Sequence, residues 1–249
     1  MPIFVITHKQ KPPLLNNVFK GFQVGSEKNI ENDYLRDNIL NNISDKNPNY
    51  CELTAAYWLW KNFKKNNYIG LAHYRRYFYF KDIFKIRKDS INEIDYFDFN
   101  KYSNSFLYVL VDIFLKIQTN RNYFFVPKSI EFGITIYEQY EKCHNSNDLD
   151  IVLSIIKKKH PDYEKTINIF FHKQTNLIIG NMMICSKENW DNYHEWLFDI
   201  LFELEKNIQI SEDSYQKRVF GFISERLLNL YLIHNNKKIK ELNTIFIKS

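Results

Sequence analysis

Apolar and polar residues along the chain switch between a two-residue and a three-to-four-residue period, and the switches mark the elements. "IFVITHK", Ile3 to Lys9, is a short β-branched and aromatic run that gives way to polar residues, as a buried strand does at its carboxyl end. The polar stretch "VGSEKNIENDYLRDN" reads as loop. "NPNYCELTAAYWLWKNFKKN" then places Leu53, Ala56, Tyr57 and Trp60 at helical spacing, with Asn47 or Asn49 available as a cap. A second apolar run, "YIGLAHYRRYF", follows directly. Strand, helix and strand within the first 80 residues predict an α/β sheet whose ligand groups sit at strand ends.

Residues 81–121 are less regular, with "IDYFDFNKY" followed by an apolar helix-like piece, and read as an insertion or lid over the sheet. "NYFFVP" predicts a further strand closed by Pro127. "SIEFGITIYEQYEKCH" and "NDLDIVLSIIKKKHPDYEKTI" read as helices, the second broken at Pro161. "TNLIIGNMMICS" is the strongest late strand. "KENWDNYHEWLFDILFELEKNI" and "SYQKRVFGFISERLLNLYLIHN" are long helices, and "NTIFI" is a last edge strand. No internal repeat occurs.

Composition narrows the class. With 249 residues, 45% hydrophobic and 25% charged, the chain can bury a full core as one large domain or as a domain plus a small lobe. The formal charge of +5 suits an anionic ligand or membrane surface but is too mild to imply nucleic-acid binding. Cys51, Cys143 and Cys185 lie far apart and form no CxxC pair, so neither a disulfide framework nor a zinc site is indicated and a reducing cytoplasm is the expected setting. The N-terminus lacks a signal-peptide pattern, and "FLYVLVDIFLKI" is too short to span a bilayer.

The candidate chemistry centres on "HYRRYF". Only seven of the 34 basic residues are arginines, and two of them, Arg75 and Arg76, stand together at the end of an apolar run. Read as an extended segment, it turns His73 and Arg75 to one face and Tyr74 and Arg76 to the other. A guanidinium fork binds two oxygens and keeps its charge at all pH, so the group suits a diphosphate. The alternative is structural ion pairing with Glu52 or Asp45. Glu225, a carboxylate in the otherwise apolar "RVFGFISERLLNLYL", is a candidate base if burial raises its pKa, or a surface residue paired with Arg218 or Arg226. Asp33, Asp37 and Asp45 are loop acids able to hold a sugar or base, or simply solvated. His8 and His144 stand where loops begin. "KNFKKNNY" offers stacking for single-stranded nucleic acid or a solvated helix end. No Walker loop, GxGxxG, HExxH, GxSxG or strand-terminal DxD is present, and "DYFD" (Asp95, Asp98) sits in the irregular region.

The blocks "THK", "ISDKNPNYCELTAAYWLWKN", "YIGLAHYRRYF", "YEQYEKCHNSNDLDIVLSIIKKKHPDY", "GNMMICSKENWDNYHEWLFDILFELE" and "YQKRVFGFISERLLNLYL" together resemble a bacterial family first catalogued as a domain of unknown function. That family occurs among glycosyltransferases of capsular, exopolysaccharide and lipopolysaccharide loci, and the resemblance runs over residues 3–232. It implies α/β architecture: a single GT-A-like, Rossmann-related glycosyltransferase domain over residues 1–249, with a mainly helical insertion or lid at 81–121. It implies a nucleotide-sugar donor, UDP-linked and in some members UDP-galactofuranose, and an oligosaccharide or lipid-linked acceptor. The expected setting is cytoplasmic, with peripheral contact to the inner membrane and no nucleic acid.

In GT-A enzymes an Asp-x-Asp at a strand end holds a divalent metal on the diphosphate; here His73-x-Arg75 stands in that place. The resemblance therefore assigns His73, Arg75 and Arg76 to the diphosphate without a metal, Mn²⁺ or Mg²⁺ through Asp95 or a loop acid being the alternative. It puts Thr7, His8 and Lys9 near the nucleotide, and Gly180, Asn181, Glu52, His144 and Asp148 near the donor or acceptor sugar. Glu225 becomes the base of an inverting transfer. A transferase of another nucleotide-activated group on the same fold is the competing enzyme reading.

Overall fold

The computed structural model describes residues 2–8, 12, 15–25, 33–64, 68–80, 93–95 and 105–248. Its strands are β1 (Ile3–Thr7), β2 (Phe19–Gln23), β3 (Leu35–Arg36), β4 (Tyr68–His73), β5 (Arg76–Phe78), β6 (Glu93–Asp95), β7 (Tyr123–Pro127), β8 (Ile130–Glu131), β9 (Asn176–Leu177), β10 (Met183–Ser186), β11 (Lys238–Leu242) and β12 (Thr244–Lys248). The helices are α1 (Asn47–Tyr50), α2 (Leu53–Asn62), α3 (Ser105–Asn120), α4 (Ile136–Cys143), α5 (Ser146–Lys159), α6 (Glu164–Lys173), α7 (Lys187–Glu205) and α8 (Val219–His234).

The main sheet runs β11-β7-β10-β4-β1-β2-β3. β1 pairs in parallel with both β2 and β4, whereas β10 runs antiparallel to β4 and β7. Both faces of the sheet are covered. Phe4 and Ile6 face one core with Leu71 and helices α2 and α4 to α8, while Ile3 and Val5 face a second core built on Leu107, Val111 and Leu115 of α3. An apolar run with no polar alternate is what a strand buried on both sides requires.

Several departures from the expected pattern have local causes. β2 is hidden in the sequence because Lys20 and Gly21 interrupt it. Gly21 is dictated by packing, since a Cβ there would lie 2.6 Å from the Tyr34 ring. The expected helix from Asn47 breaks at Cys51, whose φ of 52° lies outside the helical region. Neither Asn47 nor Asn49 caps it. Asn47 instead donates through Nδ2 to the Cys51 carbonyl at 2.8 Å and Thr54 Oγ1 at 3.1 Å. The "SIEFGIT" half of the next predicted helix is a two-residue strand, β8, followed by a bend, and α4 begins only after Thr135, which forms a capping box with Glu138. The late strand is interrupted by a turn at Gly180 and Asn181, both with positive φ, and the Lys-rich β11 was not anticipated.

Of the expected insertion at 81–121, α3 packs against the sheet face rather than over the cleft described below. Residues 81–92 and 96–104 lie outside the described residues.

Candidate functional site

β4 does not continue as an extended strand through the arginines. It ends at His73, turns at Tyr74 and Arg75, and returns as β5, so that His73 and Arg76 are antiparallel partners. Residues directly opposite in such a pair share a face. The expected grouping of His73 with Arg75, and Arg76 on the far side, is therefore corrected: His73 and Arg76 stand together.

Because β10 is antiparallel to β4, the turn that leads into it arrives at the carboxyl end of β4. Gly180 in that turn joins both partners of the site. His73 Nε2 donates to its carbonyl at 2.6 Å, and its own N–H donates to Glu225 Oε1 at 2.8 Å. Gly180 has a φ of 93°, and a Cβ there would lie 2.9 Å from Arg76 Nη1. The next residue, Asn181, donates through Nδ2 to Glu52 Oε1 at 2.7 Å and to the Gly221 carbonyl at 3.1 Å. One turn thus holds two carboxylates, Glu225 through backbone and Glu52 through a side chain.

Glu225 belongs to α8, and its other oxygen accepts from Arg226 Nη1 at 3.1 Å. The expected pairing with Arg226 is made, and the carboxylate is one-fifth exposed. Burial raises its pKa above the usual carboxylate value. The charge of Glu52 adds to that rise, while Arg226, the Gly180 N–H and His73 oppose it. Arg226 is 3% exposed and is held by the Phe222 carbonyl at 2.9 Å and by Gln139 Oε1 at 2.5 Å.

These groups line a cleft of about 750 Å³ at the carboxyl ends of β1 and β4, where open α/β sheets bind ligands. His8, Glu52, His73, Arg75, Arg76, His144, Gly180 and Glu225 all reach it. Arg75 and Arg76 form no ion pair among the described residues, and Arg75 Nε is buried without a hydrogen-bond partner. The structural pairing with Glu52 or Asp45 is not made: Glu52 is engaged by Asn181, and Asp45 is exposed. His144 stacks on Phe222 at 4.0 Å between ring centres and meets Gln216 Oε1 through Nδ1 at 3.1 Å; burial lowers its pKa.

Other expected residues lie elsewhere. Thr7 is fully buried within β1, and Asn181 sits beneath the cleft rather than on its wall. Asp148 is in the first turn of α5, accepts from Asn145 Nδ2 at 3.3 Å, and does not line the cleft. Asp37 is buried against Thr54 Oγ1 at 2.6 Å, and Asp33 is exposed at the surface. Lys9 lies outside the described residues, as do Asp98 and the side chain of Asp95. Sequence reasoning missed Cys51, Lys217, Arg218 and Arg226 as cleft residues. Arg218 and Arg226 carry one signal in the sequence, the rarity of arginine in this chain.

Arg75 and Arg76 themselves offer a divalent cation no ligand atom. Guanidinium groups are donors only, and no cluster of three or more His, Cys, Asp or Glu suited to a metal occurs among the described residues.

The chain belongs to the family described as a domain of unknown function, DUF4422, whose model matches residues 2–237. Over its full length it is similar to a solved glycosyltransferase: the apo structure of the bifunctional glycosyltransferase WbbM aligns with a TM-score of 0.85 at 29% identity, covering 100% of this chain and 45% of that chain. The chain therefore spans less than half of that protein. No curated protein matches it. The α/β architecture is that of a glycosyltransferase domain, and no helix among the described residues is long and apolar enough to cross a membrane.

Gly180→Ala forces an L side chain into left-handed backbone and presses on Arg76. The expected result is a stability loss of about 1–3 kcal/mol in denaturant titration, together with weaker binding of anionic ligands in the cleft.

Proposed function

We propose that the protein is a glycosyltransferase that moves a sugar from a nucleotide-sugar donor to a glycan acceptor with inversion. The observation that carries this reading is the position of Glu225. Its carboxylate is fixed by the Gly180 N–H, raised in pKa by burial, and shares one cleft with Arg75 and Arg76, which have no carboxylate partner among the described residues. The similarity to a glycosyltransferase of 29% identity supports it.

In this reading an acceptor hydroxyl attacks the anomeric carbon, and its proton passes to a Glu225 oxygen. The bond from that carbon to the phosphate oxygen breaks, and its electron pair leaves with the nucleoside diphosphate. Arg75 and Arg76 stabilise the charge that develops there. His73 has its Nε2 committed to the Gly180 carbonyl, so it acts by positioning the Gly180 turn rather than as a third clamp on the diphosphate. Fixed cations take the place of a metal. The donor is UDP-linked, with galactofuranose the sugar that the family resemblance implies. The product is a surface polysaccharide (capsule, lipooligosaccharide or O-antigen) built at the cytoplasmic face of the inner membrane.

A thermal-shift screen of UDP, GDP, CMP and their sugars tests the class. UDP-selective stabilisation is expected, and stabilisation by oligonucleotides alone overturns the reading. Glu225→Gln is expected to lower kcat by about 10²–10⁴-fold. Because the base works deprotonated and its pKa is raised, wild-type kcat/KM should fall with decreasing pH along an acid limb that starts above the ordinary glutamate range, and the variant should lose that limb. Arg75→Lys keeps the charge but loses the fork and should weaken UDP binding by about 1.5 kcal/mol, roughly tenfold in Kd, by calorimetry. Turnover should survive EDTA; loss on chelation with recovery on adding Mn²⁺ would overturn the metal-free mechanism.

A further inference from the structure

Arg218 occupies the N-cap of α8 and lines the same cleft, yet nothing in the transfer described above uses it. Its position is built with care. Nε donates to Cys51 Sγ at 3.3 Å, and the guanidinium carbon lies 5.4 Å from the Phe222 ring centre and 5.7 Å from that of Tyr215. Cys51 reaches this place with a positive φ of 52°. Burial holds its thiol protonated, with a pKa pushed up to about 11, so sulfur serves as an acceptor and not as a nucleophile.

The outer end of the fork is left over. Arg218 Nη1 and Nη2 make no hydrogen bond or ion pair among the described residues. The Glu52 charge acts on Arg218, but its carboxylate is bonded to Asn181 instead. Lys217 beside it also lines the cleft, and its carbonyl is tied by Asn49 Nδ2 at 3.0 Å.

Arg218 and Glu225 are seven residues apart on one helix, about 10 Å along its axis. Arg76 borders Gly180, whose N–H holds the Glu225 carboxylate. The base thus shares its cleft with two sets of cations from different parts of the chain, Arg75 with Arg76 and Lys217 with Arg218, and the donor reading uses only the first.

We propose that Arg218 and Lys217 form a second oxyanion subsite that binds a phosphoryl group on the acceptor. The acceptor class is then a glycan carried on phosphate or diphosphate. One sugar ring spans the gap, offering a hydroxyl to Glu225 while its phosphoryl oxygen meets the Arg218 fork. This rests on the glycosyltransferase reading, because it takes the Arg75 and Arg76 pole as the donor's.

The test uses the full chain saturated with UDP and titrated calorimetrically with inorganic pyrophosphate and with geranyl diphosphate. One further anion is expected to bind per chain. Arg218→Gln should weaken it by about tenfold or more while leaving the Kd for UDP within about twofold, and Arg75→Gln should do the reverse. Arg218 is exposed, so the substitution should not disturb folding, which circular dichroism checks. Tighter binding of geranyl diphosphate assigns a lipid carrier, and equal binding of the two assigns a soluble phosphorylated glycan; both support the subsite. The proposal falls if UDP-saturated protein binds no second anion, or if Arg218→Gln weakens UDP as much as pyrophosphate. If UDP does not bind at all but pyrophosphate binds through Arg218, the donor reading fails and the oxyanion site stands.

Discussion

The peptide unit at Gly180 carries a hydrogen bond at each end, and the site is organised around it. Its carbonyl accepts from His73 at the end of β4, and its N–H donates to Glu225 on α8. A central strand whose last residue lies 107 positions before this turn and a helix residue 45 positions after it are thereby joined through a single residue. A φ of 93° calls for glycine here, and any side chain would also have to displace the Arg76 guanidinium. The geometry exists only because β10 enters antiparallel, which delivers its leading turn to the carboxyl ends of β1 and β4.

Electrostatics in the cleft follow from what this turn holds. Two carboxylates, Glu52 and Glu225, are held by this turn, and the Glu52 charge acts on Glu225 in the same direction as burial. Arg226 and the Gly180 N–H pull against that rise. Burial is the largest contribution, so the carboxyl is poised above its ordinary range while remaining paired. The arginines do not compromise in this way, because a guanidinium keeps its proton in any such setting. Arg226 is tied into the wall by Phe222, Gln139 and Glu225, whereas Arg75, Arg76 and Arg218 present charge without a carboxylate partner among the described residues. Buried, paired charge and unpaired charge at the cleft wall are two different structural commitments within one site.

Elements with a single strong period were readable in the chain, and those whose pattern was set by a distant partner were not. β1, β7, α5, α7 and α8 appear where the apolar spacing puts them. β2 was lost because Gly21 answers to the Tyr34 ring, and β11 because its lysines alternate along a sheet edge. The hairpin at Tyr74 and Arg75 carries none of the Gly, Asn or Pro residues that usually announce a two-residue turn. Its partner is β12, more than 160 residues later, which no local pattern reveals. The candidate site was legible in residue type, with His73, Arg75, Arg76, Gly180 and Glu225 all reaching the cleft. It was not legible in pairing, since Arg218 and Cys51 meet only through the fold.

Periodicity and side-chain chemistry by themselves determined that the chain builds a sheet covered by helices, and that arginines at a strand end and a carboxylate in an apolar helix are its chemically unusual residues. Both are properties of neighbours along the chain, where alternation and helical spacing act over a few residues. Tertiary structure alone decided that Glu52, His73, Gly180 and Glu225 share one hydrogen-bonded unit, that Arg76 rather than Arg75 stands beside His73, and that the Glu225 pKa is raised. These depend on strand direction, on a turn with left-handed backbone, and on how much water is excluded, and none of those is set by residues adjacent in sequence.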